Sequence, residues 1–248
     1  MISKAQVKLV RQLEMKKHRQ CEGLFVAEGP KVVGDLIAVG FSPRQLFATA
    51  EWLNSNLLQC PYQEVSNDEL RKLSFLQHPQ HVLAIFPLPH NQSSINRHSS
   101  SIILALDGIQ DPGNLGTIIR IADWFGIDSI VCSTDTADAW SPKVVQATMG
   151  SIARVSIVYT DLKKYLNHAT LPIYGTLLDG DNIYQQELPN EAIIVMGNEG
   201  NGISPEIRQL VTHRLLIPPF RPGAESLNVA IATAITCSEF RRMTLKNT

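Results

Sequence analysis

The chain has little charge to spare. Of its 248 residues 18% are Asp, Glu, Lys or Arg, and 22 Lys+Arg almost cancel 23 Asp+Glu. A net charge of −1 excludes a uniformly basic coat protein, whose nucleic-acid partner would show in bulk composition. Low charge combined with 15 Gly, 14 Pro and 44% hydrophobic residues also excludes a disordered tail, a collagen-like chain and a coiled coil. Long apolar runs are missing as well. No stretch approaches the ~18 residues a membrane-spanning helix needs, and the start, MISKAQVKLVRQLEMKKHRQ, lacks the apolar core of a signal peptide. Cysteine is sparse and scattered. Cys21, Cys60, Cys132 and Cys237 form no CxxC pair and no Cys/His cluster at metal-ligand spacing, so they read as reduced thiols with no metal site. These absences lead us to expect a cytoplasmic protein with no membrane association. The basic amphipathic start resembles a presequence in composition, but its continuous helical pattern from Ser3 reads as an integral, ordered segment.

What is present is an α/β pattern in two blocks. In residues 1–86 helix and strand signals alternate: an opening helix, a strand at Leu24–Ala27, and Pro30 placed to start a helix that Gly40 ends. A strand at 45–49, a helix at 51–58, a capping box at Ser66/Glu69 and a strand at 81–86 complete this block. Residues 87–101, PLPHNQSSINRHSSS, read as a linker. Beyond it, strands near 102–106, 129–132, 155–158, 173–176, 192–196 and 215–217 alternate with helices near 115–125, 142–149, 161–167, 205–211 and 227–242. Continuous apolar strands of this kind predict a mostly parallel sheet covered on both faces. We therefore expect a small α/β domain over 1–95 and a second α/β domain over 96–248.

Three segments of the second block can carry chemistry. In Leu106–Phe125, LDGIQDPGNLGTIIRIADWF, Leu115, Ile118, Ile119, Ala122 and Phe125 form a buried stripe, while Gly116 and Arg120 lie four apart on another face. A glycine one turn before a permanently charged fork leaves room for a ligand. Asn114 stands where it would either cap the helix or hold a substrate hydroxyl, and Arg120 could equally face solvent. Ala192–Pro205, AIIVMGNEGNGISP, empties a strand into G-x-x-G-x-G, not the dinucleotide order G-x-G-x-x-G. No helix starts within the glycines, so the loop suits an adenine edge better than a polyphosphate; Glu199 is a functional group or a solvated turn residue. In Leu216–Arg242, Pro222 and Gly223 stiffen a loop, Ser226 reads as the cap of a helix starting at Leu227, and Asn228 faces a ligand or solvent. Leu227, Ala230, Ile231, Ala234 and Ile235 are its expected core stripe, and its small residues suggest close packing, including against another subunit.

Together N-L-G-x-x-x-R (Asn114–Arg120), M-G-N-E-G-x-G-I-S (Met196–Ser204) and I-P-x(7)-S-L-N-V (Ile217–Val229) resemble the three motifs of the SpoU (TrmH) family of the SPOUT superfamily. Ser141-Pro142 and A-T-M-G-S (Ala147–Ser151) are similar to family text as well, so the likeness spans about 102–242. R-x-x-x-G-L-F-V-A-E-G (Arg19–Gly29) resembles the L30e-like substrate-binding domain that precedes it in family members. The resemblance implies an S-adenosylmethionine-dependent RNA 2′-O-ribose methyltransferase acting on rRNA or tRNA. It also implies a C-terminal trefoil knot that binds the cofactor, and a homodimer with its active site at the subunit interface. By motif, Gly197, Ile217 and Leu227 would hold the cofactor, and Asn114, Arg120, Glu199, Ser226 and Asn228 would form the catalytic cluster.

Methyl transfer to a ribose hydroxyl must align oxygen, methyl carbon and sulfur and remove a proton. No histidine or metal site offers itself as base. Arg120 would therefore stabilise the developing alkoxide or accept its proton; the first is easier, since arginine titrates above ~12. RNA docking has its own signal: Lys4, Lys8 and Arg11 share one helix face opposite Leu9, Val10 and Leu13, and Lys16, Lys17 and Arg19 follow. The first 20 residues hold six Lys/Arg and one Glu. Such a stretch is either a solvated face or a phosphate-binding arm. The rival reading is a catalytically inactive RNA-binding protein with the same fold, disfavoured by the presence of all five catalytic-type residues.

Overall fold

A computed structural model describes residues 1–56, 60–89, 102–221 and 226–246, with side chains to 242. The chain divides into two bodies: Met1–His90 with Asp138–Ala153, and Asn91–Ala137 with Arg154–Thr248. Most of the expected linker, 90–101, and the Pro222-Gly223 turn lie outside the described residues.

The opening helix is two helices, α1 (Lys4–Gln12) and α2 (Lys16–Glu22), where the sequence pattern predicts one. Ser3 and Gln6 cap α1 reciprocally. The break between them is held from inside: Arg19 Nη1 donates to the carbonyls of Leu13 (2.7 Å) and Glu14 (2.6 Å), which a continuous helix would have used itself. Strands β1 (Leu24–Glu28), β2 (Gln45–Ala48), β3 (Gln63–Glu64) and β4 (Val82–Pro87) form a sheet in the order β1-β4-β2-β3. Helix α3 is Pro30–Ala38, α4 Ala50–Asn54 and α5 Asn67–Leu73. The expected 51–58 helix thus ends at Asn54, and residues 57–59 are not described. Period-2 alternation divides the strands between two packed faces. Leu24, Val26, Leu83 and Ile85 join Val10 of α1, Leu13 just after it, and Leu70 and Leu73 of α5 in one core. On the other face Phe25 stacks on Phe86 at 5.6 Å and meets Trp140 at 4.7 Å. Trp140 belongs to the segment 138–153, which also carries α7 (Pro142–Ala147) and packs on β1 and α3.

The second body is a six-stranded sheet in which every pairing is parallel: β5 (Ile102–Asp107), β6 (Ser129–Cys132), β7 (Ser156–Tyr159), β8 (Ile173–Asn182), β9 (Ala192–Gly197) and β10 (His213–Leu216). Their order is β10-β8-β9-β5-β6-β7. The chain builds outward from β5 to β7, crosses to place β8, and inserts β9 between β8 and β5. Residues 103, 105, 193 and 195 face α8 (Leu162–Asn167) and α9 (Pro205–Arg208). On the opposite face lie α6 (Pro112–Trp124) and α10 (Val229–Lys246), packed on each other. At 173 the expected short strand runs on to Asn182, because β10 pairs with both of its ends: Arg214 opposite Gly175, then Leu215 opposite Asp181. The expected knotted crossing involves the chain entering α10, part of which, 222–225, lies outside the described residues. Among the described residues no helix is long and apolar enough to cross a membrane.

Candidate active site

In a parallel sheet all C-terminal ends share one edge, and a ligand crevice opens where successive connections leave in opposite directions. Here that point lies at β5 and β9, where Asp107 pairs with Gly197. Helix α6 leaves the end of β5 and the glycine loop leaves the end of β9, so motif segments 85 residues apart meet. Helix α6 starts earlier than its apolar stripe suggests: Asp111 caps it, accepting from the Asn114 amide at 2.8 Å, and Pro112 takes the first position. Asn114 is thereby relieved of the capping role that the sequence left open, and its side chain is free for other bonds.

Those bonds form a directed chain. Asn228 Nδ2 donates to Asn114 Oδ1 at 2.9 Å, and Asn114 Nδ2 donates to Glu199 Oε1 at 3.0 Å. The carboxylate only accepts, so Asn114 presents its amide nitrogen to it and its carbonyl to Asn228. Asn228 Oδ1 in turn accepts from the amides of Ala230 (2.9 Å) and Ile231 (3.3 Å). Asn228 is therefore the cap of α10, which begins at Val229; the expected cap at Ser226 and start at Leu227 are corrected. Each amide keeps one N–H beyond this chain, and Glu199 keeps an acceptor oxygen. Donors beside an acceptor match a hydroxyl, which both gives and takes a hydrogen bond.

The remaining expected catalytic residues are placed differently. Arg120 is exposed on α6, and six residues from Asn114 it projects about 120° away around the axis. Among the described residues it makes no hydrogen bond to Asn114, Glu199 or Asn228. Ser226 is exposed, two residues before Asn228. The buried stripe of α10 is also rotated from its expected position. Val229, Ala230, Thr233, Thr236, Cys237 and Phe240 are buried, whereas Leu227 and Ile231 are 49% and 53% exposed. Thr233 and Thr236 tolerate burial because their hydroxyls bond the carbonyls of Val229 and Ala232 one turn back.

The three residues expected to hold a cofactor lie along this edge. Gly197 is buried at the end of β9, and a Cβ there would stand 2.2 Å from the Gly202 and Ile203 backbone. Ile217 follows the last residue of β10 and is half-buried; Leu227 shows an open apolar face. They offer main-chain groups and apolar surface with no cation, which fits an adenine ring and its edge and does not fit a polyphosphate.

Two residues that shape the loop escaped the sequence reading. Asn198 Nδ2 donates to Gly108 O at 2.7 Å, and its Oδ1 accepts from Gly200 and Asn201. Asp107, buried at the end of β5, accepts from the Ser204 amide at 2.7 Å. An Asn two before a Gly is a turn signal that could have flagged the first. Nothing local flags Asp107, whose partner is 97 residues away.

Of the expected RNA contacts, Lys4, Lys8, Lys16 and Lys17 are exposed. Arg11 is exposed but engaged: its guanidinium donates to Lys72 O at 3.0 Å and sits 5.3 Å from the Phe75 ring centre. Arg19 is corrected outright. It is 2% exposed and ion-paired with Asp138, which leaves no donor surface for RNA. The cysteines are all free among the described residues, with Cys21 exposed and Cys132 and Cys237 buried. Burial pushes both buried thiols up, Cys237 to about 12.

Comparison with known proteins agrees with this geometry. Residues 101–238 match the SpoU rRNA Methylase family, and residues 4–84 match the MRM3-like substrate binding domain. The 23S rRNA (guanosine(2553)-2′-O)-methyltransferase RlmP of Bacillus subtilis is 31% identical over 243 residues, covering 95% of each chain. A TrmH-family protein of Porphyromonas gingivalis superposes with TM-score 0.88 at 42% identity, covering 98% of this chain and 99% of that one. An AdoMet-bound rRNA methyltransferase of Sinorhizobium meliloti superposes with TM-score 0.87 at 31% identity, covering 98% and 96%. Motif order, parallel topology and likeness along nearly the whole chain agree, and the chain belongs to the SpoU rRNA methylase family.

Proposed function

We propose that this protein transfers a methyl group from S-adenosylmethionine to a ribose 2′-hydroxyl of RNA, with rRNA the favoured substrate. The observation that carries the reading is the Asn228–Asn114–Glu199 chain, which joins all three motif segments around a place suited to one hydroxyl. The bound cofactor supplies a methyl group on a positively charged sulfur. Gly197, Ile217 and Leu227 would hold it through main-chain groups and an apolar face. The open N–H groups of Asn114 and Asn228 would orient the ribose oxygens, and Glu199 would keep both amides aimed; Ser226 would line the same approach.

Arg120 acts, in this reading, on the site of a second copy. Its displacement from the relay and the exposed Leu227 and Ile231 support a homodimer in which each subunit completes the other's centre. There its guanidinium stabilises the alkoxide as the proton leaves, a role that a permanently charged group fills at the point where charge develops. The first domain, expected over 1–95, docks the RNA through Lys4, Lys8, Lys16, Lys17 and the face of Arg11, and the second, over 96–248, carries the chemistry. The setting is cytoplasmic.

The test is incorporation of labelled methyl groups into RNA from a strain lacking the gene, with the modified nucleotide mapped, alongside calorimetry with S-adenosylmethionine and NAD. Incorporation at one ribose and binding of S-adenosylmethionine alone are expected. Tight RNA binding without cofactor binding would establish the inactive RNA-binding alternative.

A further inference from the structure

Glu199 stands at the tip of a loop that would wander if left to its glycines, yet the loop is tied at both ends to one dipeptide. At its start, Asn198 Nδ2 donates to Gly108 O at 2.7 Å. At its end, Asp107 Oδ2 accepts from the Ser204 amide at 2.7 Å. In between, Asn198 and Gly202 exchange backbone hydrogen bonds at 2.9 Å each way, and Asn198 Oδ1 gathers the amides of Gly200 and Asn201. The dipeptide is itself fixed. Gly108 adopts φ +69, a left-handed conformation natural to glycine, and its amide donates to Ser133 Oγ at 2.9 Å. Asp107 is 9% exposed, and a carboxylate buried at a strand end costs stability unless it is hydrogen-bonded, which here the Ser204 amide provides. Glu199 itself has one side-chain bond among the described residues, to Asn114, so the loop decides where its carboxylate stands.

We propose that Asp107 and Asn198 are positioning residues that clamp the two ends of the 198–203 loop to the exit of β5 and so set Glu199 against Asn114. Among the described residues their side chains bond Gly108, Gly200, Asn201 and Ser204 and not the side chains of Asn114, Glu199 or Asn228, so they act through Glu199. The proposal rests on the reading of Glu199 given above.

The experiment is a double-mutant cycle in the full-length protein, using the RNA identified by mapping and single-turnover methyl transfer. Asp107→Ala and Asn198→Ala are each expected to lower the rate roughly 10- to 100-fold, the range for a misplaced group, with KM for RNA changed less than about 2-fold. In a Glu199→Gln background the same substitutions should cost almost nothing further. Asp107→Asn, which keeps an acceptor for the Ser204 amide, should recover the larger part of the loss. Hydrogen exchange supplies a readout independent of turnover: Asp107→Ala should speed exchange of the Gly202 and Ser204 amides about 10-fold, and Asp107→Asn should not. Equal losses in the wild-type and Glu199→Gln backgrounds, or unchanged exchange in Asp107→Ala, would overturn the proposal. Full activity of Glu199→Gln alone would instead overturn the role of Glu199.

Discussion

Arg120 and Arg19 carry the same guanidinium and have opposite surroundings. Arg120 is exposed, so Arg120→Ala removes charge without leaving a cavity. We expect methyl transfer to fall at least about 100-fold with RNA and cofactor affinities held within about 2-fold, as for loss of a group that acts on developing charge; near wild-type turnover with intact RNA binding would refute the role. Arg19 is buried, bonded to two carbonyls and ion-paired with Asp138. Arg19→Ala strands those groups and should destabilise the protein by about 3–5 kcal/mol, measurable by denaturant unfolding. Glu28 gives a pH signature. Burial raises its pKa above the ordinary 4.5, against the opposing hydrogen bonds from Ser74 Oγ and the Phe75 amide. Above pH 4.5 the unfolded chain loses this proton first, so the folded state binds more protons and stability falls as pH rises through the raised value. Glu28→Gln, which needs no proton, should therefore gain on the wild type over the window that opens above pH 4.5. A gap between their unfolding free energies that stays constant over that window would show that Glu28 is not the group responsible.

At the scale of elements, the capping details decide what the site contains. Asn114 and Asn228 are both residues that cap helices, and the sequence alone cannot say which of several candidates takes that duty. Folding assigns the α6 cap to Asp111 and the α10 cap to Asn228, leaving Asn114 free and giving Asn228 two tasks. Asp111→Ala should cost about 1 kcal/mol of stability, the usual value of a cap. It should also reduce methyl transfer disproportionately, because the first turn of α6 holds Asn114. Stability loss with unchanged turnover would separate the cap from the site. The rotated stripe of α10 has a similar cause: small residues nearly all round leave no strong apolar face to read, so packing on α6 and β9 chose the buried side. The strand signals were clearer, since parallel strands buried on both faces are continuous apolar runs, and β5, β6 and β9 begin where those runs predict.

At the scale of the whole molecule, near-neutral charge confines RNA docking to local patches. If Lys4, Lys8, Lys16 and Lys17 track phosphates, changing all four to Glu should weaken RNA binding. It should also flatten the slope of log affinity against log salt by roughly 0.7–0.9 for each phosphate no longer neutralised, with cofactor affinity unchanged. An unchanged salt slope would place the RNA elsewhere. These point changes are preferable to deleting residues 1–95, because the segment 138–153 packs on that part of the chain through Asp138 and Trp140 and would be stripped of its partners. By itself the sequence determined the α/β class, the parallel sheet and the three segments that carry chemistry, because apolar runs, glycine turns and motif spacing are local or ordered along the chain. Only the tertiary structure decided that Asn228, Asn114 and Glu199 form one directed chain, that Arg120 stands apart from it, and that Arg19 is interior. Those facts depend on which strand ends meet at the sheet edge and on partners up to 119 residues away, which no local pattern records.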